Sequence, residues 1–321
     1  MTAQVRWGVL GTANIAAHAF LPAMRAAGGV ATAVGSRDPE RSAAWASDNE
    51  VGRATTYGDV LAADDVDAVY IAVPNDQHVE WAARAAATGK AVVCEKPLGL
   101  NLAEVDDLLD RAGDALLWEA FVFPFHPQTA LLRRLCSPGG PIGGAREIIS
   151  EFHFRVTHPD NNRWQAAQGG GALLDVGCYP IRLARLLFDA DAAVRVAATS
   201  ATTPDGVDAE FAAVLDFPGE QRLLFSVGMR RCPSTYTRIL GDTGELRVSN
   251  PFHPTDGDTV ELWQDGERSE VWAADPAPAF QHAAQHVADV VRGATRPRHL
   301  ASTDARGNAA TLDMARAAVP A

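Results

Sequence analysis

Apolar runs alternate with stretches of helical period through the first part of the chain, and the alternation changes character near residue 122. Runs at 5–10, 30–35, 69–73, 91–94 and 116–122 are almost wholly apolar, the pattern of strands buried on both faces. Between them, 76–88 and 102–112 carry apolar residues at helical spacing. Strand, helix, strand in that order predicts βαβ units of a parallel sheet, since a parallel neighbour is reached only by a crossover. With 116–122 as the sixth strand, residues 1–122 read as a complete doubly wound nucleotide-binding domain. Beyond it, 126–135 is helical and stops at Ser137-Pro138-Gly139-Gly140. Strand-like runs follow at 145–156, 193–203, 208–217, 221–229, 235–241 and 259–264, and helical segments at 279–292 and 303–317 close the chain. Turn residues such as Pro204-Asp205-Gly206 separate the strands and predict hairpins. The fold class is therefore α/β: a parallel sheet, then an α+β domain over 123–321 with a mostly antiparallel sheet.

Open parallel sheets bind ligands beyond the carboxyl ends of their strands, so the residues at those ends carry the chemistry. The first strand runs into Gly11-Thr12-Ala13-Asn14-Ile15-Ala16, an approximation of G-x-G-x-x-G/A with Ala13 where the second glycine is expected. Small residues there let the backbone approach a pyrophosphate, whose charge rests on a helix N-terminus. The second strand ends in Ser36-Arg37-Asp38, with Arg41 one helical turn later. A guanidinium matches a phosphate through planar paired hydrogen bonds. Ser36, Arg37 and Arg41 thus favour NADP(H) over NAD(H), while Asp38 keeps a ribose-binding acid in view. The run Ala91-Val92-Val93-Cys94 leads into Glu95-Lys96-Pro97, a lysine at a strand end that is either a solvated loop residue or a group acting on a carbonyl or alcohol.

A second candidate site lies in the other domain. Gly169-Gly170-Gly171 precedes a helical stretch in which Asp175, Tyr179 and Arg182 stand at i, i+4 and i+7, on one helix face. That stripe is either the wet side of an amphipathic helix or a functional face. The glycines, which imply a close approach by backbone or ligand, and Pro180, which removes a helix hydrogen bond, favour the second.

Composition narrows the partners. The balance of 28 basic and 40 acidic side chains gives a net charge of −12, which disfavours nucleic acid and anionic membrane. No stretch approaches the roughly 18 apolar residues of a membrane span, and the chain enters its first strand without a signal-like segment; a cytoplasmic protein is expected. Cys94, Cys136, Cys178 and Cys232 are irregularly spaced without a C-x-x-C pair, so thiols mostly buried and reduced are expected, and no metal.

Together, Gly8-x-x-Gly11-Thr12-Ala13-Asn14-Ile15-Ala16, Val73-Pro74-Asn75-x-x-His78, Glu95-Lys96-Pro97 and the stretch from Gly169 to Tyr179 resemble the Gfo/Idh/MocA oxidoreductase family, in its order and at its spacing. The resemblance implies a Rossmann domain followed by an α/β domain whose open sheet supports substrate binding and often dimerisation. It implies cofactor contacts at Gly11, Thr12, Ala13, Asn14, Ile15, Pro74, Asn75, His78, Glu95 and Lys96. Many members carry histidine where this chain has Tyr179; the tyrosine, with Trp118-Glu119-Ala120-Phe121 and Asn162-Arg163, resembles the branch of xylose dehydrogenase, dihydrodiol dehydrogenase and sugar 3-ketoreductases. Phe121, Arg163, Trp164 and Tyr179 are then the substrate-contacting positions.

The expected activity is hydride transfer between NADP(H) and a sugar or polyol carbon. Tyrosine and lysine titrate near about 10 and about 10.4, and a cationic lysine near a tyrosine favours the phenolate. Tyr179 is assigned the proton, Lys96 the substrate oxygen and Asp175 the orientation of one of them; which of Lys96 and Tyr179 passes the proton is left open. Oxidation of non-sugar diols is the alternative, and a non-catalytic NAD(P)-binding regulator a further one. Val214, Leu223, Phe225 and Val227 are expected near a free sheet face that builds a homodimer or homotetramer.

Overall fold

The computed structural model describes residues 4–320, which separate into two compact units. The first opens with β1 (Arg6–Leu10), a π-helical turn (Ala16–Phe20), α1 (Leu21–Ala26), β2 (Val30–Gly35), α2 (Pro39–Asp48), β3 (Ala54–Thr55) and α3 (Tyr57–Ala62). It continues with β4 (Ala68–Ile71), α4 (His78–Ala86), β5 (Ala91–Cys94), α5 (Leu102–Ala112) and β6 (Leu117–Glu119). All strand pairs are parallel, in the order β3-β2-β1-β4-β5-β6. The order reverses between β1 and β4, which places the ends of those two strands at the switch point of the sheet. β4 and β5 are buried throughout, as their unbroken apolar sequences require. Sequence periodicity missed β3 and α3, which are two and six residues long. The capping box of Thr56 and Asp59 was the available sign of α3.

The second unit contains α6 (Pro127–Leu135), β7 (Ala145–Arg155), a π-helical turn (Leu173–Gly177) running into α7 (Cys178–Phe188), β8 (Arg195–Thr202), β9 (Asp208–Phe217) and β10 (Gln221–Gly228). β11 (Arg230–Ser234), β12 (Thr237–Gly241), β13 (Glu245–Val248), β14 (Thr259–Gln264) and β15 (Glu267–Ala273) complete its sheet. The order is β15-β14-β13-β12-β7-β10-β9-β8, with β11 also on β7. Only β7 and β10 pair in parallel; the other neighbours are antiparallel. β15 has almost every residue exposed, so it lacks the alternation by which a half-buried strand is recognised, and the sequence reading passed over it together with β11 and β13.

α7 and its π turn lie on one face of this sheet, where Gly177 meets Phe225 and Val227. The placement of Leu223, Phe225 and Val227 near the free face is corrected: all three are buried, because alternate residues of β10 point toward the helix. Val214 is on the open face, 39% exposed, together with the exposed side chains Ile149 and Tyr236.

α8 (Ala279–Val291) packs on α1. Residues Ala279–Arg306 therefore group with the first unit, whereas the sequence division at 122 had placed them in the second. α9 (Ala301–Ala317) ends the fold. Among the described residues no helix is long and apolar enough to cross a membrane.

Candidate active site

At the end of β1, Gly11 adopts a φ of +100°, and a Cβ there would lie 2.4 Å from the carbonyl oxygen of Ala72. Its N–H donates to Gly35 O at 3.0 Å. The turn is thus pressed between the ends of β2 and β4, which only glycine permits. Thr12, Ala13, Asn14 and Ile15 follow with partly or fully exposed side chains, and the helix begins at Asn14. Its first amides have no partners within the helix. The wide π turn then carries Phe20 onto Tyr70, with stacked rings at 3.8 Å.

The end of β2 gives Asp38 a local role. Its carboxylate accepts the Arg41 N–H at 3.0 Å as the N-cap of α2, with Pro39 in the first turn. Asp38 N–H donates to Ser36 Oγ at 3.2 Å. One oxygen of this exposed acid caps the helix, and Arg37 and Arg41 are exposed beside it. Arg37 also hydrogen-bonds Tyr57, whose phenol burial pushes above its usual range and the guanidinium draws back. The Tyr57 ring lies against Gly35, where a Cβ would come within 2.8 Å of it.

Lys96, partly exposed, stands in a turn held at every neighbouring residue. Glu95 is buried, its N–H on Ile71 O at 2.9 Å and its carboxylate taking the Tyr70 hydroxyl. Leu98 N–H donates to Glu119 Oε1 at 2.9 Å. His78 reaches Pro97 O through Nδ1 at 2.7 Å and Val73 O through Nε2 at 3.0 Å. It is wholly buried, which holds its pKa below the ordinary histidine value. The expected cofactor contact at His78 is therefore corrected: the ring is a staple joining the loops after β4 and β5. Pro74 precedes a single 3-10 turn, Asn75–Gln77, and Asn75 is partly exposed at its start. Phe121, just past β6, is buried, its N–H on Glu119 O at 2.7 Å.

In the second unit, Asp175, Tyr179 and Arg182 are 9, 5 and 3% exposed. The wet-face reading of this stripe is excluded, because α7 is buried around most of its circumference. The Tyr179 ring sits among Phe123, Phe152, Phe252 and His253, with centroids 5.3 to 6.2 Å away. Asp175 Oδ2 accepts Arg163 Nε at 2.6 Å, and the same guanidinium lies 5.6 Å from the Phe154 ring centroid. Trp164 is partly exposed under the guanidinium of Arg230, 5.5 Å from the ring centroid. The triple glycine has an internal cause. A Cβ on Gly170 would meet Arg163 O at 2.5 Å, and one on Gly171 would meet Asp208 Oδ1 at 2.0 Å. The close approach belongs to the 161–168 loop and to β9. Sequence reasoning missed Tyr70, hidden in an apolar run, and Asp208, at the start of a strand, and named Glu119 only within the Trp118–Phe121 motif, without a role. Thr12–Ile15, Arg37, Arg41 and Lys96 thus stand beyond the ends of β1, β2 and β5 of one unit, and Arg163, Asp175 and Tyr179 lie on the other.

Residues 5–116 match the family model described as oxidoreductase family, NAD-binding Rossmann fold, and 132–247 match that of the Gfo/Idh/MocA C-terminal domain. An uncharacterised oxidoreductase of Rhizobium meliloti is 38% identical over 88% of this chain and 86% of its own. An NADP(+) D-xylose 1-dehydrogenase of Haloferax volcanii is 33% identical over 91% and 90%. A 3-ketoreductase from Actinomadura kijaniata, solved with NADP and TDP-benzene, superimposes with a TM-score of 0.88 at 30% identity over 99% of this chain and 98% of that one. That enzyme is also solved with a lysine replaced by alanine or glutamate and with a tyrosine replaced by phenylalanine.

Proposed function

Since this chain belongs to the Gfo/Idh/MocA oxidoreductase family, we propose that it is an NADP(H)-dependent dehydrogenase or ketoreductase acting on a sugar or sugar-like hydroxyl or keto carbon. The observation that carries the cofactor choice is at the end of β2, where Asp38 is spent on capping and two arginines stand exposed. Thr12, Ala13, Asn14 and Ile15 offer a helix start to the pyrophosphate, and Ser36, Arg37 and Arg41 fit a 2′-phosphate. When bound, the nicotinamide supplies or takes the hydride.

Lys96 donates a hydrogen bond to the substrate oxygen on which charge develops, and Tyr179 passes the proton to or from it. The lysine and tyrosine altered in the Actinomadura enzyme are separated by one residue more than Lys96 and Tyr179 here, which supports this pairing of roles. Arg163, held by Asp175, and Trp164 give the substrate a donor and an aromatic surface, with Phe121 as a further contact. The parallel-sheet unit takes the cofactor; the open-sheet unit takes the substrate and, through Ile149, Val214 and Tyr236, builds a homodimer or homotetramer. A cytoplasmic protein is consistent with its four free cysteines.

The test is reduction of NADP+ against a panel of aldoses, polyols and a trans-dihydrodiol, and oxidation of NADPH against keto sugars. Turnover with a sugar, lost by about a hundredfold or more in Lys96→Ala and Tyr179→Phe with NADPH affinity kept, supports the reading. Turnover with the dihydrodiol alone supports the diol alternative, and cofactor binding without turnover makes the protein a regulator.

A further inference from the structure

Asp208, the first residue of β9, stands in the place that a side chain on Gly171 would occupy. Its Oδ2 accepts the Leu173 N–H at 2.7 Å, and the Ala172 N–H also bonds to the carboxylate. These amides open the continuous helical stretch formed by Leu173–Gly177 and α7, which carries Asp175 four residues before Tyr179. The helix start has no cap from its own chain neighbours; the carboxylate arrives from the sheet instead. Asp175 N–H then bonds Gly171 O at 3.1 Å, so the residue on which Asp208 presses also anchors Asp175.

We propose that Asp208 is a positioning residue for the reaction: as an anion on the first amides of the Tyr179 helix, it sets where Asp175 and Tyr179 stand. This rests on the reading of Tyr179 as the proton-transfer residue. Two features describe how this anion is held. Gly171 holds a φ of +125°, which favours glycine, and Asp208 Oδ1 fills the place its Cβ would take. The site also holds its charge against a cost, for burial pushes the carboxyl up to about 6, although the Leu173 and Ala172 amides and Arg316 of α9 draw it down.

Asp208→Asn preserves an acceptor for the Leu173 N–H and removes the charge. Its kcat is expected to fall ten- to a hundredfold, roughly the scale of a misplacement behind the reacting groups, with NADPH Kd unchanged. Its Tm at pH 7.5 is expected to stay level or rise, because the disfavoured anion is gone. In the native enzyme kcat falls with acid as Asp208 protonates near pH 6, and that limb is absent from the variant. Gly171→Ala displaces the carboxylate without altering its charge but also strains the backbone at a φ of +125°, so a lower kcat in it supports the inference only where its Tm is kept. A normal kcat and an unchanged pH profile in Asp208→Asn overturn the inference. So does a loss of activity matched by a loss of Tm, which makes Asp208 a structural cap. Tyr179→Phe measured in parallel separates the premises: if it keeps turnover, the proposed function fails, whereas its inactivity beside a normal Asp208→Asn refutes only the role of Asp208.

Discussion

Arg37→Ala is the sharpest test of cofactor choice, because the end of β2 presents a cation and withholds its acid. Arg37 is exposed, and the Asp38 carboxylate is held by the Arg41 amide at 3.0 Å. A charge-assisted hydrogen bond contributes about 1.5–3 kcal/mol, and solvent exposure brings this toward the lower end by screening. A loss of about 1–2 kcal/mol corresponds to a roughly 5- to 30-fold rise in the Kd for NADPH. NADH lacks the 2′-phosphate, so its Kd is expected to stay within about twofold. Titration of each cofactor by quenching of tryptophan fluorescence reads both constants, and raising the salt concentration is expected to shrink the preference of the native protein. Tyr57→Phe is the control: it removes the hydroxyl that Arg37 meets but keeps the ring packed on Gly35, and little change in either Kd is expected. Equal weakening of NADPH and NADH by Arg37→Ala refutes the reasoning, as does a native protein that binds NADH at least as tightly.

Three further outcomes follow from the geometry. Gly11→Ala places a Cβ 2.4 Å from Ala72 O at a φ of +100°, and the strain of about 1–3 kcal/mol is expected to lower Tm by several degrees in calorimetry; an unchanged Tm contradicts it. His286 Nε2 accepts the Arg298 N–H at 3.1 Å, and burial lowers its pKa from 6.5 to about 4. The native state then binds fewer protons than the unfolded chain between those values, so stability is full above pH 6.5 and falls toward pH 4. From pH 7 to pH 5 the native protein is expected to lose about 2 kcal/mol more than His286→Gln in urea unfolding, and parallel losses argue against it. Val214→Asp, on the open sheet face, is expected to weaken assembly measured by light scattering, and an unaltered mass at micromolar concentration counts against that face.

Both sheets were legible because burial dictates their patterns: β4 and β5 are unbroken apolar runs, and β9 and β14 begin and end where alternation placed them. The candidate residues at the ends of β1, β2 and β5 were legible too, since Gly11, Arg37 and Lys96 are conspicuous residue types at strand ends. What was missed depends on tertiary partners. Leu223, Phe225 and Val227 share one face with the period expected, but sequence does not say which face a helix covers. His78 reads as a ligand beside a loop until its two ring nitrogens are seen on Pro97 O and Val73 O. The glycines before α7 announce a close approach without naming the visitors, which come from the 161–168 loop and from β9.

The grouping of Ala279–Arg306 with the parallel sheet has a consequence for synthesis. The sheet of the first unit is complete once Glu119 has been made, yet α1 lacks the cover that α8 supplies until the chain has passed residue 291. The closing contacts come later still: Trp118 Nε1 donates to Arg298 O at 2.8 Å, and Arg298 N–H bonds His286. The whole open sheet is translated in the interval, an insertion spliced into an unfinished neighbour. A fragment cut after Val122 therefore ends with part of α1 bare and the Trp118 indole without its acceptor. The unit that begins first on the ribosome is not the first to have all its parts.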